Sequence, residues 1–275
     1  MKNLLKADLY RMRKSRLTFV AMILVVAFPV LFVLLYAGIN AMAAGLDPEM
    51  AEAQALISVN TVLGSAYSLT NNVGLVIPAF AGIMVCSDYS NGTLRNKVIA
   101  GNRRSHIYLS HLITSIIFAV GAITIYVVVT AALSMIFFKF DGASVDGVGR
   151  EILYFIIYGT MSFVFMATVS TMLAMVLRNI APTIIFTIVL AMILGAVNTI
   201  LLLIDYEKYK YLVYLIPTFG SNFFNLQGMS LLGILAGTAE NSRAVIFFEG
   251  LASYIFFGAL NTVIGLLVFR KRDIS

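Results

Sequence analysis

Six long stretches of this chain, at residues 17–39, 67–86, 107–138, 152–177, 182–204 and 247–269, are almost free of charge. About 20 residues in helical form cross a hydrocarbon core about 30 Å thick, and unpaired backbone groups there cost several kcal/mol each, so runs like these must enter lipid as helices. The third run exceeds that length and is expected to tilt or to project beyond the bilayer. Only four residues, with Arg178 and Asn179 as their polar pair, separate the fourth run from Pro182 and the fifth, which forces an antiparallel hairpin. With 60% hydrophobic and 12% charged residues, the chain lies well outside the soluble range of about 45–50% apolar and about 25% charged. The expected fold class is therefore all-α, a polytopic membrane protein with six transmembrane helices.

Basic residues set the orientation. In the six-helix layout, residues 1–16, residues 87–106, Arg178 and the final Arg270, Lys271 and Arg272 place fourteen of the nineteen Lys and Arg on one side, while ten of the thirteen acids fall on the other. The positive-inside rule then puts both termini in the cytoplasm. Residues 211–237 are also apolar, but Pro217, Gly220, Gly228, Gly233, Asn222 and Asn225 interrupt them, so a re-entrant outer segment is expected there rather than a seventh span. The Ala41-Met42-Ala43 triplet resembles a cleavage site, yet the preceding run is longer than a signal-peptide core of about 7–15 residues and is expected to remain as a span.

Several functions are excluded. The net charge of +6 is spent on the ends of apolar runs, leaving no basic, aromatic-interleaved soluble face for nucleic acid. A single cysteine, Cys86, allows no internal disulfide and reads as a packing residue. No G-x-x-x-x-G-K-[ST] phosphate loop occurs, nor H-E-x-x-H, nor G-x-S-x-G. His106 and His111 stand near one membrane edge with no acidic neighbour in sequence, which points to interfacial polar residues and not to a metal site or a general base. Within the spans, ionisable residues occur only at the edges, unlike the pathways of ion-coupled carriers. Asn71 and Asn72, near the outer end of the second run, are candidates for a substrate pathway, against a default of helix-packing hydrogen bonds.

Two segments carry more information. In residues 1–16, Leu5, Leu9 and Met12 recur at helical spacing among Lys2, Lys6, Arg13 and Lys14, which predicts an amphipathic helix on the lipid headgroups. In residues 87–106, Asn91-Gly92 signals a turn, Thr93 is a candidate cap, and Leu94, Val98 and Ile99 are expected to present one side of a short helix to a partner.

That loop resembles the ABC-2 type permease family, the membrane subunits of many bacterial drug, peptide and polysaccharide exporters. The family pattern is an acid, Gly-Thr, an apolar turn, a Pro-x-x-Arg-like stretch and a Lys entering the next helix. Here Asp88, Gly92, Thr93, Leu94 and Arg104 match it, with His111 in the Lys position and Gly101 where proline is common. The resemblance implies an amino-terminal elbow helix and a coupling helix within residues 88–104, with Asp88, Gly92, Thr93, Leu94, Arg95, Val98, Ile99 and Arg104 as the ATPase-coupling residues. It further implies that the whole chain is one permease domain with the re-entrant segment at 211–237. The partners it implies are a separate ABC ATPase subunit and a second permease, identical or similar. The chain itself would bind no cofactor or metal, because ATP and Mg belong to the ATPase. A bacterial plasma membrane, an amphipathic or apolar cargo and export follow as expectations. A sensor or assembly scaffold is the alternative.

Overall fold

A computed structural model of the chain describes residues 1–44, 59–67, 72–138, 148–204 and 240–271. Among them every regular element is an α-helix: α1 (Lys2–Lys14), α2 (Arg16–Ala44), α3 (Val59–Ala66), α4 (Asn72–Ser90), α5 (Thr93–Ile99), α6 (Arg104–Phe137), α7 (Val148–Leu177), α8 (Ile180–Ile204) and α9 (Glu240–Lys271). Four stretches, Arg16–Met42, Arg104–Phe137, Ile156–Leu177 and Phe247–Lys271, are long and apolar enough to cross a membrane, and Leu75–Ser90 and Ile180–Leu194 are shorter apolar helices. The 34 residues of α6 extend about 50 Å at about 1.5 Å each, well past the hydrocarbon thickness. Its first turns carry the polar Arg104, Ser105, His106, Ser110 and His111, so the excess length belongs at the membrane surface. The re-entrant expectation at 211–237 and the candidate Asn71 lie outside the described residues, and Asn72 is the first residue of α4.

α7 is the hub, packed against α4, α6, α8 and α9. Its inward residues are small, apolar or hydroxylated: Ser162, Phe163, Met166, Ala167, Thr168, Val169, Ser170 and Thr171 are all buried. Several hydroxyls are satisfied by their own helix, with Ser162 donating to the Gly159 carbonyl at 2.6 Å, Thr168 to Phe165 at 2.7 Å and Ser170 to Ala167 at 3.1 Å. These groups therefore behave as compact spacers that let neighbouring helices approach. α2 is the opposite case. Phe19, Val20, Ile23, Leu31, Leu34 and Leu35 point outward, as expected of a helix whose outer surface is bathed in acyl chains.

Three tyrosines press on glycines. Tyr67 lies over Gly159 of α7, Tyr158 of α7 over Gly250 of α9, and Tyr108 of α6 over Gly265 of α9, in each case so closely that a Cβ on the glycine would overlap the ring. Tyr158 also stacks edge-on against Tyr254 at 5.1 Å and lies 6.2 Å from the Phe247 ring, which fixes its orientation from two sides.

The hairpin expected at Arg178 and Asn179 is present. Arg178 adopts φ +57, the left-handed conformation that commonly ends a helix. Asn179 then starts α8, its Oδ1 accepting the Ala181 amide at 3.3 Å and its carbonyl accepting the Thr183 hydroxyl at 2.7 Å. Cys86 is buried beside this turn, with its sulfur 3.3 Å from Thr183 Oγ1.

Candidate functional site

The amino-terminal helix forms as expected, but its inward face is different. α1 ends where Ser15 turns to an extended conformation before α2 begins, and its fully buried residue is Asp8. Leu4, Asp8 and Met12 form the inward row, with Leu4 against the cluster around Val85, Leu94 and Tyr108 and Met12 against the larger core. An acid on that row demands partners, because a lone buried carboxylate is prohibitively costly.

The partners come from three other helices. Asp8 Oδ1 accepts the Lys97 ammonium of α5 at 2.6 Å, and Oδ2 accepts the Ser110 hydroxyl of α6 at 2.6 Å. Asp88, near the end of α4, pairs through Oδ2 with Arg11 of α1, with Lys97 at 3.4 Å and with His111 Nε2 of α6 at 3.3 Å. Lys97 Nζ also lies 3.1 Å from His111 Nε2. With Asp8 and Asp88 exposed by only 4% and 2%, two acids and two cations form a buried knot that joins α1, α4, α5 and α6. Burial pushes the Asp8 carboxyl up, but the field of His111 and the contacts with Lys97 and Ser110 outweigh it and hold the group below its ordinary value.

The expectation that His111 lacks an acidic partner is corrected by this geometry, since the chain fold brings Asp88 and Asp8 to it from distant positions. Asp8, Asp88 and His111 place their ligand atoms within 4.8 Å of one another, a spacing that could suit a metal ion. The Lys97 ammonium stands within 3.4 Å of all three, so the chain supplies its own cation at that point. Beside the knot a cavity of about 270 Å³ opens between α1, α4 and α6, lined by Arg11, Met12, Lys14, Met84, Asp88 and His111 among others.

The segment after Asp88 turns at Asn91-Gly92, with Gly92 at φ +65 as the residue before α5. Thr93 is the first helical residue, and no side-chain hydrogen bond caps the helix, so the turn glycine does what was expected of Thr93. The expected common face of Leu94, Val98 and Ile99 is divided. Leu94 is 1% exposed and packs with Val85, Ile107 and Tyr108; Val98 is half-buried on the same cluster; Ile99 is 73% exposed. Arg95 and Asn96 are exposed with Ile99, and these form the outward surface of α5.

Gly101 follows at φ +81, donating its amide to the Val98 carbonyl at 2.9 Å. Proline, whose ring holds φ near about −65° and which has no N–H, cannot adopt this turn. Gly101→Pro is expected to lower stability by more than about 1 kcal/mol, read as a fall in the thermal midpoint in detergent. Arg104, at the start of α6, donates to the Arg270 carbonyl at 3.0 Å and so ties this end of the bundle to the last turn of α9.

Reading the sequence alone misses Asp8, Arg11, Lys97 and Ser110. One signal was present: Asp8 is the lone acid in the first sixteen residues, at i+4 from Leu4 and i−4 from Met12 on an apolar row. The basic residues there drew attention because orientation depends on them.

No curated protein matches the chain. The family model described as ABC-2 family transporter protein matches residues 4–195, a region that contains the whole knot, α5 and the turn between α7 and α8, and the chain therefore belongs to the ABC-2 transporter family.

Proposed function

We propose that this chain is the permease subunit of an ATP-driven exporter, crossing a bacterial plasma membrane six times with both termini in the cytoplasm. The observation that carries the reading is α5: a seven-residue helix fastened through Lys97 to α1, α4 and α6, with Ile99, Arg95 and Asn96 turned outward. A short helix held from behind and bare in front is suited to receive force from a soluble partner. That partner is an ABC ATPase subunit, two copies of which serve a pair of permeases and hold the ATP and Mg. With no fixed charge among the described inward residues of α7, the pathway suits an amphipathic or apolar cargo such as a peptide antibiotic, a drug or a lipid-like molecule. The spans expected at 67–86 and 182–204, the inward orientation of the basic ends and the direction of transport belong to the same reading, supported by the positive-inside pattern.

Co-purification with an ATP-binding cassette subunit from the source cell tests the class, with nucleotide turnover that depends on this chain as the expected result. Combining Arg95→Glu with Ile99→Asp is expected to reduce that permease-dependent turnover at least tenfold without loss of membrane insertion. A variant that stimulates the ATPase as well as the parent would remove α5 as the contact. Failure of any ATPase to associate would favour the scaffold alternative.

A further inference from the structure

The knot leaves one acceptor unused. Arg11, Lys97 and His111 all crowd onto Asp88 Oδ2, and among the described residues no donor reaches Oδ1. Asp88 is 2% exposed, yet Oδ1 is not one of the sealed atoms, so it opens on the cavity that Asp88 helps to line. Ser115 of α6 lines the same cavity at 3% exposure, and its hydroxyl also lacks a partner among the described residues. Polar groups left bare at this depth carry the full cost of their desolvation, so the site calls for a donor from outside the chain.

Charge decides which donor. Arg11 and Lys97 already match Asp8 and Asp88 one for one, and His111 Nε2, 3.1 Å from the Lys97 ammonium, accepts from it as a neutral ring. An ammonium ligand would bring a third cation to two carboxylates, whereas a hydroxyl supplies the hydrogen bond without added charge. At the rim the balance differs. Lys14 is exposed, lies 5.1 Å over the Tyr10 ring and meets no carboxylate among the described residues. Arg11, 41% exposed, keeps guanidinium donors beyond the one spent on Asp88. The rim therefore suits an anion and the floor a hydroxyl.

The cavity's volume of about 270 Å³ falls short of the about 300 Å³ at which pockets for whole drug-sized ligands begin, so it takes a headgroup and not a cargo. Its apolar side, with Met12, Leu17 and Met84, leads to the start of α2. Two residues beyond Leu17 a shallow apolar groove begins, running over Phe19, Ile23, Val26, Val30 and Leu31. From Phe19 to Leu31 it extends about 18 Å at about 1.5 Å per residue, close to the about 15 Å of one hydrocarbon leaflet.

We propose that the elbow cavity and the α2 groove together bind one anionic phospholipid whose headgroup is a hydroxyl-bearing phosphodiester, as in phosphatidylglycerol. The phosphate meets Lys14 and Arg11 at the rim, a glycerol hydroxyl donates to Asp88 Oδ1 beside Ser115, and an acyl chain follows α2. The bound lipid pins the Ser15 joint between α1 and α2 to α4 and α6. The leaflet that supplies it depends on the proposed orientation of the chain, but binding does not.

Native mass spectrometry of the delipidated full chain in detergent, titrated with single lipids, tests this. Phosphatidylglycerol is expected to bind about tenfold more tightly than phosphatidylethanolamine, which carries an ammonium, and than phosphatidic acid, which has the phosphate without the glycerol hydroxyls. Lys14→Glu, at an exposed position, is expected to weaken phosphatidylglycerol binding by about tenfold. Ser15→Phe, half-buried at the rim, is expected to block it by bulk. Soluble glycerophosphoglycerol, the same headgroup without acyl chains, is expected not to compete at equal concentration. Equal affinity for phosphatidic acid would reduce the effect to a general attraction of α1 for anionic surfaces and overturn the proposal. Equal affinity for phosphatidylethanolamine, competition by the soluble headgroup, or undiminished binding in both variants would do the same.

Discussion

Lys97→Met is expected to cost the folded chain about 3–5 kcal/mol near neutral pH, the usual result of removing one member of a buried ionic set. Lys97 is only 12% exposed and serves both buried acids, so its loss leaves Asp8 and Asp88 with Arg11, which is itself 41% exposed and partly hydrated. The variant should also change how stability depends on pH. In the parent, the Asp8 carboxyl is held below its ordinary value of 3.8, so its contribution is present above that pH and is lost as pH falls through the lowered value. Without Lys97 the carboxyl is buried and poorly matched, and its folded value rises above the unfolded one. Stability is then favoured at low pH and lost as pH rises through the raised value. Between about pH 4 and about pH 8 the thermal midpoint in detergent should therefore be nearly flat in the parent, whose Asp8 contribution is lost only at lower pH, and should fall with rising pH in the variant. Parallel curves would mean that Lys97 does not hold Asp8 in the folded chain.

Gly250→Ala is the second change with a large expected effect, although it adds only one methyl group. The new Cβ would overlap the hydroxyl and ring of Tyr158, which is 2% exposed and has no open side to move into. Overpacking of this kind costs about 1–3 kcal/mol, and Gly250→Leu, with three further carbons, is expected to yield no monodisperse protein. Tyr158→Phe should recover part of the alanine loss, because it removes the atom nearest the new methyl while the ring carbons still crowd it. Equal and additive losses in the two single variants and the double variant would show that the glycine and the tyrosine do not share a contact.

The apolar runs were legible because lipid permits few structures, and a charge-free stretch of the right length has one physical outcome. The Asn91-Gly92 turn was legible for a similar reason: the left-handed conformation at Gly92 is a local property of glycine. The orientation of α5 was not. A helix of seven residues with apolar groups at Leu94, Val98 and Ile99 has more than one face that could pack, and tertiary contact with Val85, Ile107 and Tyr108 selects Leu94. Lys97 was counted among the charges that orient the chain, and nothing near it in sequence reveals a carboxylate 89 positions away. His111 was set aside because its partners are supplied by folding and not by neighbours in the chain. The glycine–tyrosine contacts were equally hidden, since Tyr158 meets Gly250 only when α7 and α9 lie side by side.

Those contacts limit how the bundle can move. Gly250 and Gly265 of α9 lie about 22 Å apart along its axis at about 1.5 Å per residue, and each receives a ring from a different helix, Tyr158 of α7 and Tyr108 of α6. Each ring opposes a one-residue slide of α9 past the helix that carries it. α6, α7 and α9 are therefore expected to travel as one block, and an opening toward either face of the membrane to be hinged on the helices outside it.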